Sequence, residues 1–216
     1  MSHLRSVRQP DRAGGLLMLI LASASPRRQE LLRAAAIPFV VEPTDIPEIP
    51  QAGEPPRDFT QRLARAKARV IAARHPRDFV LGADTTVVVE GEILNKPEGE
   101  EDARRMLRLL SGRSHEVITG VCLIVPPGSL ETRNPKLETV LEDVRCETTT
   151  VTFSPLTDAD IDFYVSTGEP MDKAGGYAIQ GIASRWITRI EGDYSNVVGL
   201  PVALVYRMLR ECGAVA

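Results

Sequence analysis

The chain has 216 residues, 25% of them charged and 43% hydrophobic, with a formal net charge of −3 at neutral pH. That length suits one substantial core or two lobes sharing a sheet. A slightly acidic chain has no general attraction for nucleic acid, so any anion site has to be local. Cys122, Cys146 and Cys212 stand far apart without a CxxC spacing, which argues against a zinc site or a disulfide framework and fits a reducing, cytoplasmic setting.

At the N-terminus, Arg5, Arg8 and Arg12 precede LLMLILA and the small residues Ala22-Ser23-Ala24, a pattern that imitates a secretion signal. The apolar run is short, however, and cleavage after Ala24 would remove the strand that leads into the next motif. Residues 1–15 are therefore expected to be a flexible extension ending at Gly14-Gly15, with residues 16–216 forming the folded domain. No other apolar run approaches membrane-spanning length, so no membrane partner is expected. Segment 16–22 suits a buried strand, and Pro26 suits the first turn of a helix running to Ala36. Between them lies the turn of LASASPRRQELL. Ser23, Ser25, Arg27 and Arg28 stand there at a helix N-terminus, where the dipole favours an anion and two guanidiniums offer forked donors for phosphate oxygens. From this stretch alone two other readings stay open. One is a solvated helix start with ordinary surface arginines; the other is a DNA-backbone contact or kinase site, of which the net charge disfavours the DNA version.

From Glu42 to Arg57 the chain is rich in Pro, Glu and Asp, so a surface loop carrying Glu48 is expected. RDFTQRLARAKARVIAARH follows as a long amphipathic helix bearing Lys67. FVLGADTTVVVEGEIL begins as a buried strand, is interrupted by the polar GADTT, and resumes as strand before a Glu90-Gly91 hairpin. Asp84 in that interruption needs a partner or a chemical role, with a capped turn or structural salt bridge as the alternative. ILNKPEG contributes Lys96, by itself an ordinary surface lysine. EEDARRMLRLLSG is a helix ending at Gly112, HEVITGVCLIV a strand, GSLETRNPK a loop, and LETVLEDVRCETTTVTF an antiparallel ribbon exposed on one face. Thr157 caps TDADIDFYVST. The glycine-rich GEPMDKAGGYAIQG then suits either close approach to a ligand or a tight structural loop. RWITRIEG is strand-like, and a last helix starts at Pro201. The fold class expected is α/β, a mixed twisted sheet in two lobes around a central cleft. Neither GxxxxGK[ST] nor a GxGxxG after a strand is present.

Taken together, LASASPRRQELL, GADTTVVV, ILNKP, LSGRSHEVITGV and GEPMDKAGGYAIQG with EGDYSNVVGLP resemble, in that order from about Leu19 to Arg210, the motifs of the Maf family of nucleoside triphosphate pyrophosphatases. The resemblance implies a two-lobed fold of the inosine-triphosphatase type and hydrolysis of a nucleoside triphosphate to monophosphate and pyrophosphate with a divalent cation, Mg²⁺ or Mn²⁺. DKAGGYAIQG looks like the branch acting on dTTP and UTP. Carried over by position, Asp84 is the proton acceptor, Ser23, Arg27, Arg28, Lys67 and Lys96 face the phosphates, and Glu48 with Asp84 faces the metal. Arg27, Thr85 and Gln180 stand where base preference is set. A carboxamide at Gln180 complements the N3 donor and O4 acceptor of uracil and thymine, provided a neighbour fixes its orientation. The partner implied is the nucleotide, with no nucleic acid, and a homodimer is left open. Two alternatives remain: a pyrophosphatase for modified or non-standard nucleotides, and a nucleotide-binding regulator of septum formation. The second would have no need of a positioned base.

Overall fold

The computed structural model describes residues 18–129 and 141–215. The expected N-terminal extension and most of the loop after Gly128 lie outside the described residues. The elements in chain order are β1 (Leu19–Leu21), α1 (Pro26–Ala34), β2 (Val40–Val41), α2 (Pro56–Ala72), β3 (Phe79–Val89), β4 (Glu92–Leu94), α3 (Glu100–Leu110), β5 (Ser114–Val125) and β6 (Leu141–Phe153). After them come α4 (Asp158–Ser166), three single-turn 3₁₀ segments between Glu169 and Arg185, β7 (Ile187–Glu191), α5 (Tyr194–Val198) and α6 (Val202–Glu211). Seven strands form one mixed sheet in the order β2-β1-β3-β5-β6-β7, with β4 also on β3. The β2-β1-β3 pairs are parallel and the other pairs antiparallel. Among the described residues no helix is long and apolar enough to cross a membrane.

The near-continuous apolar runs of β1, β3 and β5 are explained by cover on both faces. Leu19, Leu21, Phe79, Leu81, Ala83, Val121 and Leu123 pack with Leu32 of α1 and Leu204, Val205 and Met208 of α6. The alternate residues Ile20, Val80, Cys122 and Ile124 pack with Ala64, Ala68 and Ile71 of α2. A third cluster at the other end of the sheet joins α3 and α4 to Val87, Val117, Val151 and Phe153, and also takes in Tyr177 and Trp186. Thr157 caps α4 as the sequence indicates, in a reciprocal box with Asp160.

Two sequence expectations are corrected, and two elements went unread. GADTT does not interrupt its strand: β3 runs unbroken from Phe79 to Val89, paired with β5 across the polar stretch. Helix α1 stops at Ala34, and Ala36 has a left-handed φ of 54°. Two short elements, β2 and α5, carry too little periodicity to stand out. Gly82 and Gly120 let α2 lie against this stretch of the sheet. A Cβ on Gly82 would lie 2.2 Å from the Ala64 carbonyl oxygen, and one on Gly120 2.4 Å from the Thr60 carbonyl carbon. Helix α2 therefore lies with its backbone directly on β3 and β5, closer than any side chain allows.

Gly120→Ala is expected to force α2 off the sheet and to lower stability by about 1–3 kcal/mol or more, the range for overpacking a core. Urea denaturation of the variant against the parent measures this. A midpoint equal to the parent's would mean that α2 yields without strain.

Candidate active site

One edge of β3 pairs with β1 over Phe79–Leu81 and with β4 over Val87–Val89, leaving residues 82–86 with a strand partner on the β5 side only. That gap, at the C-terminal end of the parallel strands, opens into a cleft of about 630 Å³, where open α/β sheets commonly take ligands. Ser23, Arg27, Arg28, Glu48, Lys67, Asp84, Thr85, Lys96 and Gln180 all line it, although they come from widely separated parts of the chain. The cleft has two unlike sides because successive residues of a strand face opposite ways. Asp84 lies on the α2 side with Lys67, Glu48 and Lys96, whereas Thr85 and Val87 face the other side, where Val117, Ala178, Val197 and Val198 make an apolar wall.

On the polar side, the Lys67 ammonium stands between two carboxylates. Its Nζ donates to Asp84 Oδ1 at 2.6 Å and to Glu48 Oε1 at 2.5 Å. Asp84 is 5% exposed. Burial pushes its carboxyl above the ordinary aspartate value, against the opposing charges of Lys67 and Arg28. Its Oδ2 accepts no hydrogen bond from the described residues. Glu48 is more exposed, and although partial burial works against its ionisation, the Lys67 hydrogen bond and neighbouring cations hold its carboxyl below the usual range. Lys96 lies 3.9 Å from Glu48 and its side chain is 61% exposed. It is the freest of these cations.

Arg28 is held quite differently. It is buried, and its Nε donates to the Gly199 carbonyl at 2.8 Å, Nη1 to Ala83 O at 2.9 Å and Ser23 Oγ at 3.1 Å, and Nη2 to Thr85 Oγ1 at 3.1 Å. Four of the five guanidinium donors are thus committed inside the protein, one of them to a carbonyl on the free edge of β3. Arg28 ties the turn after β1, the middle of β3 and the α5–α6 junction together, and one Nη2 hydrogen remains. Thr85 Oγ1 also contacts Thr119 Oγ1 at 2.9 Å and the Gly199 carbonyl at 3.2 Å. Arg27 reaches across the cleft mouth to Asp172, through Nη1 to Oδ2 at 2.9 Å and Nη2 to the carbonyl at 3.2 Å. Burial works against ionisation of Asp172, but Lys173 and Arg27 outweigh it and hold the carboxyl at about 2.

The glycine-rich segment forms the remaining wall. Gly175, with φ of 69°, seats against Val87 where a Cβ would come within 2.8 Å of Cγ2, and its N–H donates to the Asn95 carbonyl. Glu169 organises the segment by accepting from Tyr164 Oη at 2.8 Å and from the Ile182 N–H at 3.1 Å. Gln180 is exposed in the cleft, and among the described residues its carboxamide has no hydrogen-bond partner. The neighbour that would fix its orientation is therefore not found among the described residues. Sequence reasoning did not single out Asp172 or the α5 residues Val197 and Val198. Asp172 lies within the quoted DKAGGY motif, and its acid among glycines was the available signal.

Among the described residues no group of three or more His, Cys, Asp or Glu side chains is placed to hold a metal by itself. Glu48 and Asp84 meet at one point through Lys67 and give two carboxylates. That donor set fits a Mg²⁺-type cation completed by substrate phosphate oxygens and water, rather than one caged by protein alone.

A family model described as Maf-like protein matches residues 18–212. A protein of Koribacter versatilis named dTTP/UTP pyrophosphatase is 57% identical over 195 residues, covering 90% of this chain and 94% of its own. Proteins with the same name from Geobacter sulfurreducens and Symbiobacterium thermophilum are 50% and 49% identical, over 91% and 90% of this chain and 97% and 94% of their own.

The unequal settings of Arg28 and Lys96 lead to unequal outcomes. Arg28→Ala leaves buried carbonyls unpaired and is expected to lower stability by at least about 2 kcal/mol, whereas Lys96→Ala leaves stability within about 0.5 kcal/mol. Thermal denaturation of the two variants side by side measures the difference. Equal stabilities would mean that Arg28 is not the tie between the strands.

Proposed function

The chain belongs to the Maf-like protein family, and on that premise we propose that it hydrolyses dTTP and UTP to the nucleoside monophosphate and pyrophosphate, the activity for which its relatives are named. The observation that carries this reading is the buried Asp84 carboxylate, set in a cleft with Lys67, Arg27, Arg28 and Lys96. The polar side suits a triphosphate and the apolar side a base and ribose. On this reading Asp84 Oδ2 takes the proton of the water attacking the α-phosphorus, and pyrophosphate departs. A free aspartate, with a pKa of about 3.9, is a weak base at neutral pH, and burial raises the basicity of Asp84. Lys67 holds Oδ1 and keeps the carboxylate from turning.

Lys96, Arg27, the remaining Nη2 hydrogen of Arg28, the third ammonium hydrogen of Lys67 and the Ser23 hydroxyl are the donors left for phosphate oxygens. Glu48 and Asp84 would hold a divalent cation, Mg²⁺ or Mn²⁺, which when bound neutralises charge on the phosphoryl oxygens. Gln180 and Thr85 face the base, and Arg27 stands between base and phosphate ends. Nothing preset holds the Gln180 carboxamide, so it takes its orientation from the base it meets. Cytoplasmic placement accords with the three unpaired cysteines.

Pyrophosphate release by the purified protein, assayed against dTTP, UTP, CTP, purine triphosphates and modified nucleotides with Mg²⁺ or Mn²⁺, tests the reading. Rapid release from dTTP and UTP is expected. Release from none of them, with binding intact, would favour the regulatory module.

Asp84→Asn is expected to cost about 10²- to 10⁴-fold in kcat while nucleotide binding survives. In the parent, kcat/KM should fall on the acid side as pH drops through a value above the ordinary aspartate pKa, because the raised carboxyl protonates earlier. A variant retaining half the parent rate would remove Asp84 from the role of base.

A further inference from the structure

The stretch from Glu42 to Pro55 has no helix or strand, yet it runs antiparallel along α2 and is held to it by three acid–base contacts. Glu42 accepts from Arg74 at 3.1 Å and lies 2.5 Å from His75 Nε2, Glu48 accepts from Lys67, and Glu54 accepts from Arg62. The last contact differs in kind. Arg62 Nε and Nη2 grip the two oxygens of Glu54 at 2.5 and 2.6 Å, and Nη2 also donates to the Ile49 carbonyl at 3.1 Å. Glu54 in turn accepts from the Gln51 N–H at 3.0 Å. Its side chain is only 9% exposed. Ile49 follows Glu48 directly and is 70% exposed, so apolar burial does not anchor this point of the loop. The carbonyl does. Arg62, Ile49 and Glu54 are all absent from the cleft lining.

We propose that Arg62 is a positioning residue: by clamping Glu54 and the Ile49 carbonyl it fixes the backbone beside Glu48 and sets that carboxylate against Lys67, at the point where a divalent cation is held. This rests on the reading of Glu48 as a cation-binding carboxylate. The planar fork is what the clamp requires, because a lysine offers the same charge without two parallel donors and a third in one plane. Groups that orient a metal-binding side chain typically affect affinity about 10- to 100-fold when removed.

The test is Arg62→Lys, which keeps the charge and removes the fork. Mn²⁺ binding is followed by electron paramagnetic resonance in the presence of a non-hydrolysable UTP analogue, alongside protease cleavage within residues 42–55. Arg62→Lys is expected to weaken Mn²⁺ binding about tenfold, to hasten cleavage of the loop, and to leave kcat at saturating Mn²⁺ within about twofold of the parent. In a Glu48→Gln background it should add nothing further, since both changes act through one carboxylate. Unchanged Mn²⁺ binding, or an effect that adds in full to Glu48→Gln, overturns the proposal. Should Arg62→Lys fail to fold, Glu54→Gln loosens the same clamp from the loop side and carries the same expectations. A parent protein that binds no Mn²⁺ overturns the cation reading and this proposal with it, whereas Mn²⁺ binding without turnover overturns only the proposed reaction.

Discussion

The seating of α2 directly on the sheet is the constraint from which the cleft follows. With no side chain at Gly82 or Gly120, the helix backbone comes within contact of β3 and β5. Lys67, one helical turn beyond Ala64 and next to Ala68, is thereby brought onto the carboxylate that follows Gly82 by two residues on the same face of β3. A wider separation would leave either a buried ammonium or a buried carboxylate without its partner, each costing several kcal/mol. The glycines that look like flexibility in the sequence serve rigidity in the fold. They let a helix, rather than a loop, carry the lysine, and a helix fixes its position far more tightly.

The polar groups deep in the cleft are largely paired before any ligand arrives. Lys67 is matched by Asp84 and Glu48, Arg27 by Asp172, and Arg28 by carbonyl and hydroxyl oxygens. This arrangement holds Lys67, Arg27 and Arg28 in fixed places before a polyanion enters, which limits the reorganisation needed. It also divides labour among cations that look alike in sequence. Arg28 is committed to the framework with four of its donors, Lys67 to the two carboxylates, and Lys96, at 61% exposure, stays at hand in the solvent-facing part of the site. On the proposed reading, phosphate recognition falls on side chains of very different exposure.

Much of this was legible in the sequence. Pro26 at a helix start, the Glu90-Gly91 hairpin, the Thr157 cap and the long amphipathic α2 are local signals, and each is found in place. The residues picked out by family resemblance all line one cleft. What could not be read was anything decided by tertiary contact. GADTT looks like an interruption because polar residues normally leave an apolar strand; it stays in the sheet because β5 pairs through it and the gap beside it is the cleft itself. Arg28 and Lys96 appear equivalent as phosphate cations until burial separates them. The acids at 42, 48 and 54 stood in an aperiodic loop and the cations at 74, 67 and 62 on an amphipathic helix, and their antiparallel pairing is apparent only once the loop is seen lying along α2.

Base selection is the feature that the framework leaves most open. The apolar wall of Val87, Val117, Ala178, Val197 and Val198 rewards burial of any ring of suitable size and carries no hydrogen-bond code. If the substrate is a pyrimidine nucleotide, as proposed, discrimination has to come from the few polar groups beside it. Thr85 is a poor reader, because its hydroxyl already engages Arg28, Thr119 and Gly199. Gln180 has its full donor and acceptor capacity free among the described residues, but a carboxamide that can turn accepts uracil and cytosine edges alike. On the proposed reading a second fixed group has to break the symmetry, and Arg27 has the required properties. It is fastened by Asp172 to the same wall that carries Gln180, it retains donors beyond those spent on Asp172, and it cannot reverse its polarity. A donor-only group at the C4 edge of the ring would favour the O4 of uracil and thymine over the amino group of cytosine, whichever way Gln180 turns.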